Sequence, residues 1–302
     1  MAGVLVGVFY IGSIPNPIKL DELPEHRGNT QNGELMFWAG GCASCHAQVD
    51  ADGDEQLLLS GGLEMSTPFG MFIVPNISPD ADFGIGAWTD LNFVNAMARG
   101  LSPDNKHYYP AFPYTNYQHM TLEDLLDLKA FLDTLPSSSN NATDHQLAFP
   151  YSIRRGLGLW KRKYLEREIP ALNVPSTPEL ERGRYLVRGP AHCGACHTPR
   201  DAFGGVLADR FLAGADSLEI EPGADTDSAS RIPNITPHDD GISSWSESDI
   251  AYSLESGFDP DFDSFGGSMV HVQENMAKLP AEDRAAIAAY LKSIPAIPSD
   301  QN

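Results

Sequence analysis

Gly40-Gly41-Cys42-Ala43-Ser44-Cys45-His46 and Ala191-His192-Cys193-Gly194-Ala195-Cys196-His197 hold between them all four cysteines of the chain, and both stretches end on histidine. Cys-x-x-Cys-His is the attachment pattern of c-type haem. The two thiols add across the porphyrin vinyl groups as thioethers, and the neighbouring histidine is held where a ring nitrogen can ligate the iron. Two other uses of a Cys-x-x-Cys pair fail on specific counts. A zinc site built from both pairs would have to close across 151 residues (Cys42 to Cys193), far beyond the ligand spacing of ribbons and fingers. A thiol redox pair of the thioredoxin kind would need a βαβ pattern around it, and neither motif has one. The expectation is two covalently bound haem c groups, held by Cys42, Cys45 and His46 and by Cys193, Cys196 and His197.

Working outward, 302 residues at 42% hydrophobic composition suffice for two domains with ordinary cores. The formal net charge is −21. The single basic run lies between Arg154 and Arg167, so nucleic acid is excluded as an expected partner. The acidity fits either a soluble periplasmic protein or one that docks a basic redox partner. The basic run itself reads as an interdomain linker helix whose cations pair with acidic domains, or as a set of propionate or partner contacts.

Residues Ala2 to Ile14 form an apolar run of 13, too short for the roughly 20 helical residues that span a bilayer. The run reads as the remaining half of a signal peptide or membrane anchor that starts upstream of Met1, and is set aside from the fold. Haem attachment to this motif takes place outside the cytoplasm in bacteria. The expected address is therefore the periplasm, with an inner-membrane tether as the accompanying possibility.

The chain repeats itself. Pro75-Asn76-Ile77-Ser78-Pro79 followed by Gly84-Ile85-Gly86-Ala87-Trp88 returns as Pro233-Asn234-Ile235-Thr236-Pro237 followed by Gly241-Ile242-Ser243-Ser244-Trp245. Each copy opens on a helix, around Gly33 to Phe37 and Gly183 to Leu186. Each closes on another, begun by Thr121-Leu-Glu-Asp124 or Pro280-Ala-Glu-Asp283 and apolar at helical spacing through Leu135 or Ile294. Between them, Gly, Pro, Asn and Asp predict loop wrapped on a cofactor. The fold class expected is mainly α, two tandem cytochrome c domains of a few helices and long loops. The expected limits are 1–29 as lead-in, 30–140 as domain 1, 141–175 as linker, 176–297 as domain 2 and 298–302 as tail. Trp88 and Trp245 read as core or as donors to a haem propionate. Asn76 and Asn234 read as turn holders or haem contacts.

The repeat also points to a second axial ligand. Twenty-four residues after Trp245 stands Met269, expected in a loop before the final helix, where its thioether would complete the second iron. His271 is a rival there. The same step from Trp88 reaches Phe112, which cannot ligate. The first iron's distal position is then open, filled by water, or met by His107, His119 or Met120, with His107 the named candidate. Met97 and Met120 read as core.

On Gly40 to His46, Thr67 to Gly70, Pro75 to Pro79, Gly84 to Trp88, His107 to Tyr114, Phe149 to Arg154 with Trp160, Pro233 to Pro237 and Ala285 to Leu291, the chain resembles the cytochrome c subunits of bacterial membrane-bound alcohol and gluconate dehydrogenases. The resemblance covers roughly residues 30 to 296. It implies an electron-transfer protein whose partners are a dehydrogenase subunit and a downstream acceptor in the respiratory chain, with no catalytic residues of its own. Those subunits usually carry three haem domains where this chain has two. Their first domain reads Tyr-Pro-Ala-Met-Pro-Tyr, its Met ligating iron, and Phe112 departs from that pattern. The departure keeps an alternative open: a dihaem enzyme or small-ligand binder using an open first haem.

Overall fold

The computed structural model describes residues 2–165, 177–216 and 231–299. The chain divides into two compact units, Met1–Glu34 with Cys45–Arg167, and Leu35–Ser44 with Glu168–Asn302. Helices dominate both, as the composition and periodicity led one to expect.

The first unit holds α1 (Ala2–Gly12), α4 (Asp90–Arg99), α5 (Tyr114–Tyr117), α6 (Leu122–Leu132) and α7 (Leu157–Tyr164), while α2 (Thr30–Ala39) and the short α3 (Cys42–His46) are divided between the units, Thr30–Glu34 and Cys45–His46 falling in the first. Local chemistry fixes several of the ends. Thr89 and Asn92 form a reciprocal capping box at the start of α4, and Gly100 ends it in the left-handed conformation. The Thr121 hydroxyl accepts from the Asp124 N–H to open α6. At Gly33, α2 comes so close to α6 that a β-carbon there would collide with the Asp127 carbonyl and the Phe131 side chain. Val94, Leu101, Tyr114, Leu125 and Leu128 fill the core, and Met97 and Met120 are buried with them.

The second unit repeats the arrangement with α8 (Pro178–Arg188), α9 (Gly194–His197), α10 (Glu247–Ser256), α11 (Met269–Met276) and α12 (Ala281–Ser293). Thr177 caps α8, with Pro178 in its first turn. Gly183 is the counterpart of Gly33: a β-carbon there would collide with the Ala286 carbonyl and Tyr290. The residue before each glycine ties the crossing together. Asn32 donates to Asp124 at 2.6 Å and to Asp127 at 2.8 Å, and Arg182 grips both Asp283 oxygens at 2.7 Å. α12 differs from α6 at its start, where Pro280 makes no side-chain cap.

Three features add to what the sequence led one to expect. The first unit contains a small antiparallel sheet, β1 (Glu64–Thr67), β2 (Gly70–Ile73) and β3 (Gln146–Leu147), in which Thr67 faces Gly70 across the β1–β2 turn and Gly70 faces Leu147. The second has the pair β4 (Ala215–Asp216) and β5 (Arg231–Ile232). Segments of two to four residues are too short to show a period of two.

The second concerns the stretch 141–175, expected as a linker. Residues 141–165 are part of the first unit, and 166–175 lie outside the described residues, as do 176 and 300–302. His145 accepts from the Ile73 N–H at 3.1 Å, and the Tyr109 hydroxyl donates to the Tyr151 carbonyl at 2.9 Å. Three cations of the basic run, Arg155, Lys161 and Arg162, find helix ends. Lys161, buried, donates to the Arg99 and Gly100 carbonyls at 2.6 Å each, the negative end of α4, and sits 4.5 Å above the Tyr114 ring. Arg155 and Arg162 donate to the Tyr10, Ile11 and Gly12 carbonyls at the end of α1.

The third concerns the lead-in, 1–29. Ile18 is buried, and its N–H and carbonyl are both held by the Asn95 amide at 2.7 and 3.1 Å. His26 reaches Asp127 at 2.6 Å. The lead-in is part of the fold.

Candidate haem sites

The one-turn helix α3 carries the first motif, and α9 with Cys193 as its N-cap carries the second. The residue ahead of each motif has a positive φ, Gly41 at 57° and His192 at 37°. None of the four cysteines forms a disulfide; three are half-buried and Cys196 is exposed. Burial pushes the Cys193 thiol up to about 12. Among the described residues, no cluster of three or more His, Cys, Asp or Glu side chains could hold a bare metal ion.

Both histidines are held alike. Nδ1 of His46 donates to the Pro75 carbonyl at 2.8 Å, and Nδ1 of His197 donates to the Pro233 carbonyl at 2.8 Å. A carbonyl oxygen can only accept, so each ring carries its proton on Nδ1 and keeps its lone pair on Nε2. Burial lowers the His46 pKa to about 4 against the opposing pull of Pro75, and lowers His197 in the same way. The rings are neutral at physiological pH.

Around each histidine the backbone repeats too. The His46 carbonyl accepts from Gly61 at 2.8 Å and the His197 carbonyl from Gly214 at 2.9 Å. Gly61 and Gly214 have φ of 65° and 86°, and a β-carbon on Gly61 would strike the Pro75 carbonyl. These two glycines escaped the sequence reading, which attended to the Pro-Asn-Ile stretches beyond them. The signal was present as a Gly 15 residues after His46 and 17 residues after His197.

Asn76 and Asn234 hold turns. Asn76 donates to the Ser138 and Asn140 carbonyls at 2.7 and 2.9 Å and accepts from the Ser78 N–H at 2.8 Å. Asn234 donates to the Ile297 carbonyl at 2.7 Å and the Ser299 hydroxyl at 3.3 Å and accepts from Thr236 N–H at 2.8 Å. Each clamps the chain beyond the closing helix against the turn whose proline receives the histidine. Trp88 and Trp245 are half-buried, outside either packed core.

The distal candidates separate clearly. Met269 is half-buried and is the first residue of α11 rather than part of a loop, following Gly266-Gly267-Ser268. His271 is exposed and faces Glu274 at 3.3 Å. Phe112 is half-buried, its ring 5.6 to 6.3 Å from those of Tyr108, Tyr114 and Tyr117. His107 is buried with Nε2 on the Ser13 carbonyl at 3.0 Å, in contact with the N-terminal segment.

These residues fit haem c. Two Cys pairs at the attachment spacing sit beside neutral imidazoles with Nε2 lone pairs, and a hydrogen-bonded Nδ1–H makes Nε2 a stronger donor to iron.

A mainly helical chain with two such histidines, each beside a thiol pair at the attachment spacing, defines a c-type cytochrome. Residues 30–136 match the cytochrome c family. Over 272 residues the chain is 52% identical to the "Diheme cytochrome c-type" protein of Cereibacter sphaeroides, which spans 89% of this chain and 87% of that one. The chain belongs to the family of dihaem c-type cytochromes; it carries two covalently bound haem c groups and transfers electrons. It is also 34% identical over 274 residues to the fructose dehydrogenase cytochrome subunit of Gluconobacter japonicus, and 33% over 284 residues to the cytochrome c subunit of the quinone alcohol dehydrogenase of Gluconobacter oxydans. It spans 54% and 56% of their lengths.

Proposed function

We propose that Cys42 and Cys45 with His46, and Cys193 and Cys196 with His197, hold the two haem c groups in two successive cytochrome c domains. In this reading Met269 is the second axial ligand in the second domain. The chain passes electrons from a periplasmic or membrane-bound dehydrogenase to an acceptor of the respiratory chain. The observation that carries the reading is the matched pair of Nδ1–carbonyl bonds, His46 to Pro75 and His197 to Pro233, each 2.8 Å. The names of the fructose and alcohol dehydrogenase cytochrome subunits support the partner.

When bound, each haem supplies a one-electron iron couple. The protein's own residues do the rest. Pro75 and Pro233 fix each ring's tautomer and orientation, so the imidazole stays neutral and its lone pair stays aimed when the charge at the site changes by one. Asn76 and Asn234 keep those carbonyls in place. Electron carriage of this kind asks for no general acid, base or nucleophile.

A second reading keeps one observation of its own: Phe112, in a cage of tyrosines, stands where the repeat and the resemblance place a ligating methionine, so the first iron would bind a small exogenous ligand. His107 is a weaker candidate for the position, its Nε2 being engaged by Ser13.

The test is the absorption spectrum of the dithionite-reduced protein before and after carbon monoxide, for the parent and for Met269→Leu. The expected result is that the substitution makes the second haem bind carbon monoxide and lowers its potential, leaving the first unchanged. An unchanged spectrum would remove Met269 from the site. Binding by about half the haem of the parent would favour the small-ligand reading.

A further inference from the structure

α1 contains no charged residue, yet Val8, Tyr10 and Ile11 are exposed, as are Ile14 beyond its end and Leu159, which lies against Gly12 from α7. At 100° per residue, positions 8, 10 and 11 cover an arc of about 160°, wider than the stripe of roughly 100° that a helix buries against one neighbour. An apolar face of this kind left in water is unfavourable, and such faces mark contact surfaces.

The surrounding charge says what the contact is. In a chain with 41 acidic side chains, neither residues 1–20 nor residues 145–165 contain one, whereas the second stretch holds Arg154, Arg155, Lys161, Arg162 and Lys163. Arg155, Arg162 and Lys163 are exposed, and the Arg155 guanidinium stacks 4.6 Å over the Tyr10 ring at the rim of the apolar strip. Arg155 and Arg162 also bind the last carbonyls of α1, so the cations are fixed at the level where the helix ends. Apolar side chains and a tyrosine edged by fixed cations are the pattern of an element lying in the headgroup region of a bilayer. A net charge of −21 opposes approach to an anionic lipid surface, and the two stretches free of acidic side chains reduce that repulsion at this face.

We propose that the face formed by the end of α1 and by α7 is a docking surface for an anionic phospholipid bilayer, with Tyr10, Ile11, Ile14 and Leu159 in the interface and Arg155, Arg162 and Lys163 on lipid phosphates. This deepens the proposed function, since it seats an electron carrier on the membrane that holds its partners.

The test is flotation of the full-length holoprotein with vesicles of phosphatidylcholine alone and of phosphatidylcholine mixed with phosphatidylglycerol. The Leu159→Asp/Lys163→Glu double variant is run beside it. Both positions lie off α1, and neither is assigned to a haem. Expected are co-flotation with the anionic vesicles, release by salt, weaker binding to the neutral ones, and a partition about tenfold lower for the variant with an unchanged reduced haem spectrum. Absence of flotation would overturn the proposal. Equal flotation of parent and variant would overturn it too, since α1 alone would then be inserting. Unchanged flotation with loss of electron transfer from the dehydrogenase would assign the face to a protein partner instead. Haem content and spectrum, read on the same samples, test the two-haem reading separately.

Discussion

His197 donates its Nδ1 proton to the carbonyl oxygen of Pro233 across 2.8 Å, and the residue that fixes this carbonyl is the next one, Asn234. The Asn234 side chain is buried and fully engaged, so replacing it leaves the Thr236 N–H without its side-chain acceptor and the Ile297 carbonyl with the Thr236 hydroxyl alone. Asn234→Ala should cost about 1–3 kcal/mol in urea unfolding of the second unit. The looser carbonyl should also shift the potential of one haem only. Asn76→Ala should do the same in the first unit, and equal effects of either change on both haems would contradict the independence of the two clamps.

The crossings at Gly33 and Gly183 leave no space for a methyl group, because what a β-carbon would meet is backbone, Asp127 and Ala286, rather than a yielding side chain. Gly33→Ala and Gly183→Ala should each destabilise their own unit by about 1–3 kcal/mol or more, despite alanine's higher helix propensity. Thermal unfolding followed by circular dichroism is the measurement. A stabilised variant would mean that the helices can separate at that point.

Burial lowers the Lys161 pKa from 10.5 to about 7. Between those values the unfolded chain binds a proton at this side chain that the folded chain does not, so folding stability rises with pH across the window from about 7 to 10.5. Lys161→Met cannot titrate. Its denaturant midpoint should lack this component of the pH slope, and slopes that coincide for parent and variant would show that Lys161 keeps its proton throughout.

Phe112→Met restores a thioether at the position the repeat assigns to a ligand. The expected outcome is a low-spin His/Met spectrum at the first haem, a raised potential, and loss of whatever carbon monoxide binding the parent shows there. A spectrum identical to that of the parent would mean that the ring cage of Tyr108, Tyr114 and Tyr117 holds the new side chain off the iron.

The parts that could be read in advance are those whose causes are local in the chain. Cys-x-x-Cys-His declares itself within five residues, and Thr89, Thr121 and Thr177 cap the helices they precede. Duplication exposed Asn76 and Asn234, because one copy alone would pass for an ordinary turn. What stayed hidden depends on backbone groups far away. Lys161 binds carbonyls 61 and 62 residues back, and Arg162 reaches one 150 residues back. A carbonyl has no identity in a sequence, so a basic run destined for helix ends looks the same as one destined for carboxylates. β3 likewise shows two residues of pairing, below any detectable alternation.

The Asn95 clasp on Ile18 has a practical consequence for taking this protein apart. Residue 30 is where the family match begins and is a natural place to cut a single-haem fragment. Such a fragment would present the buried Asn95 amide to a vacated groove and would lose the His26 bond to Asp127. Ending it at residue 136 would also discard β3 and the lysine that covers the end of α4. The smallest autonomous piece of the first half therefore begins well before residue 30 and ends after α7, and fragments trimmed to the shared family segment should express as poorly ordered apoprotein.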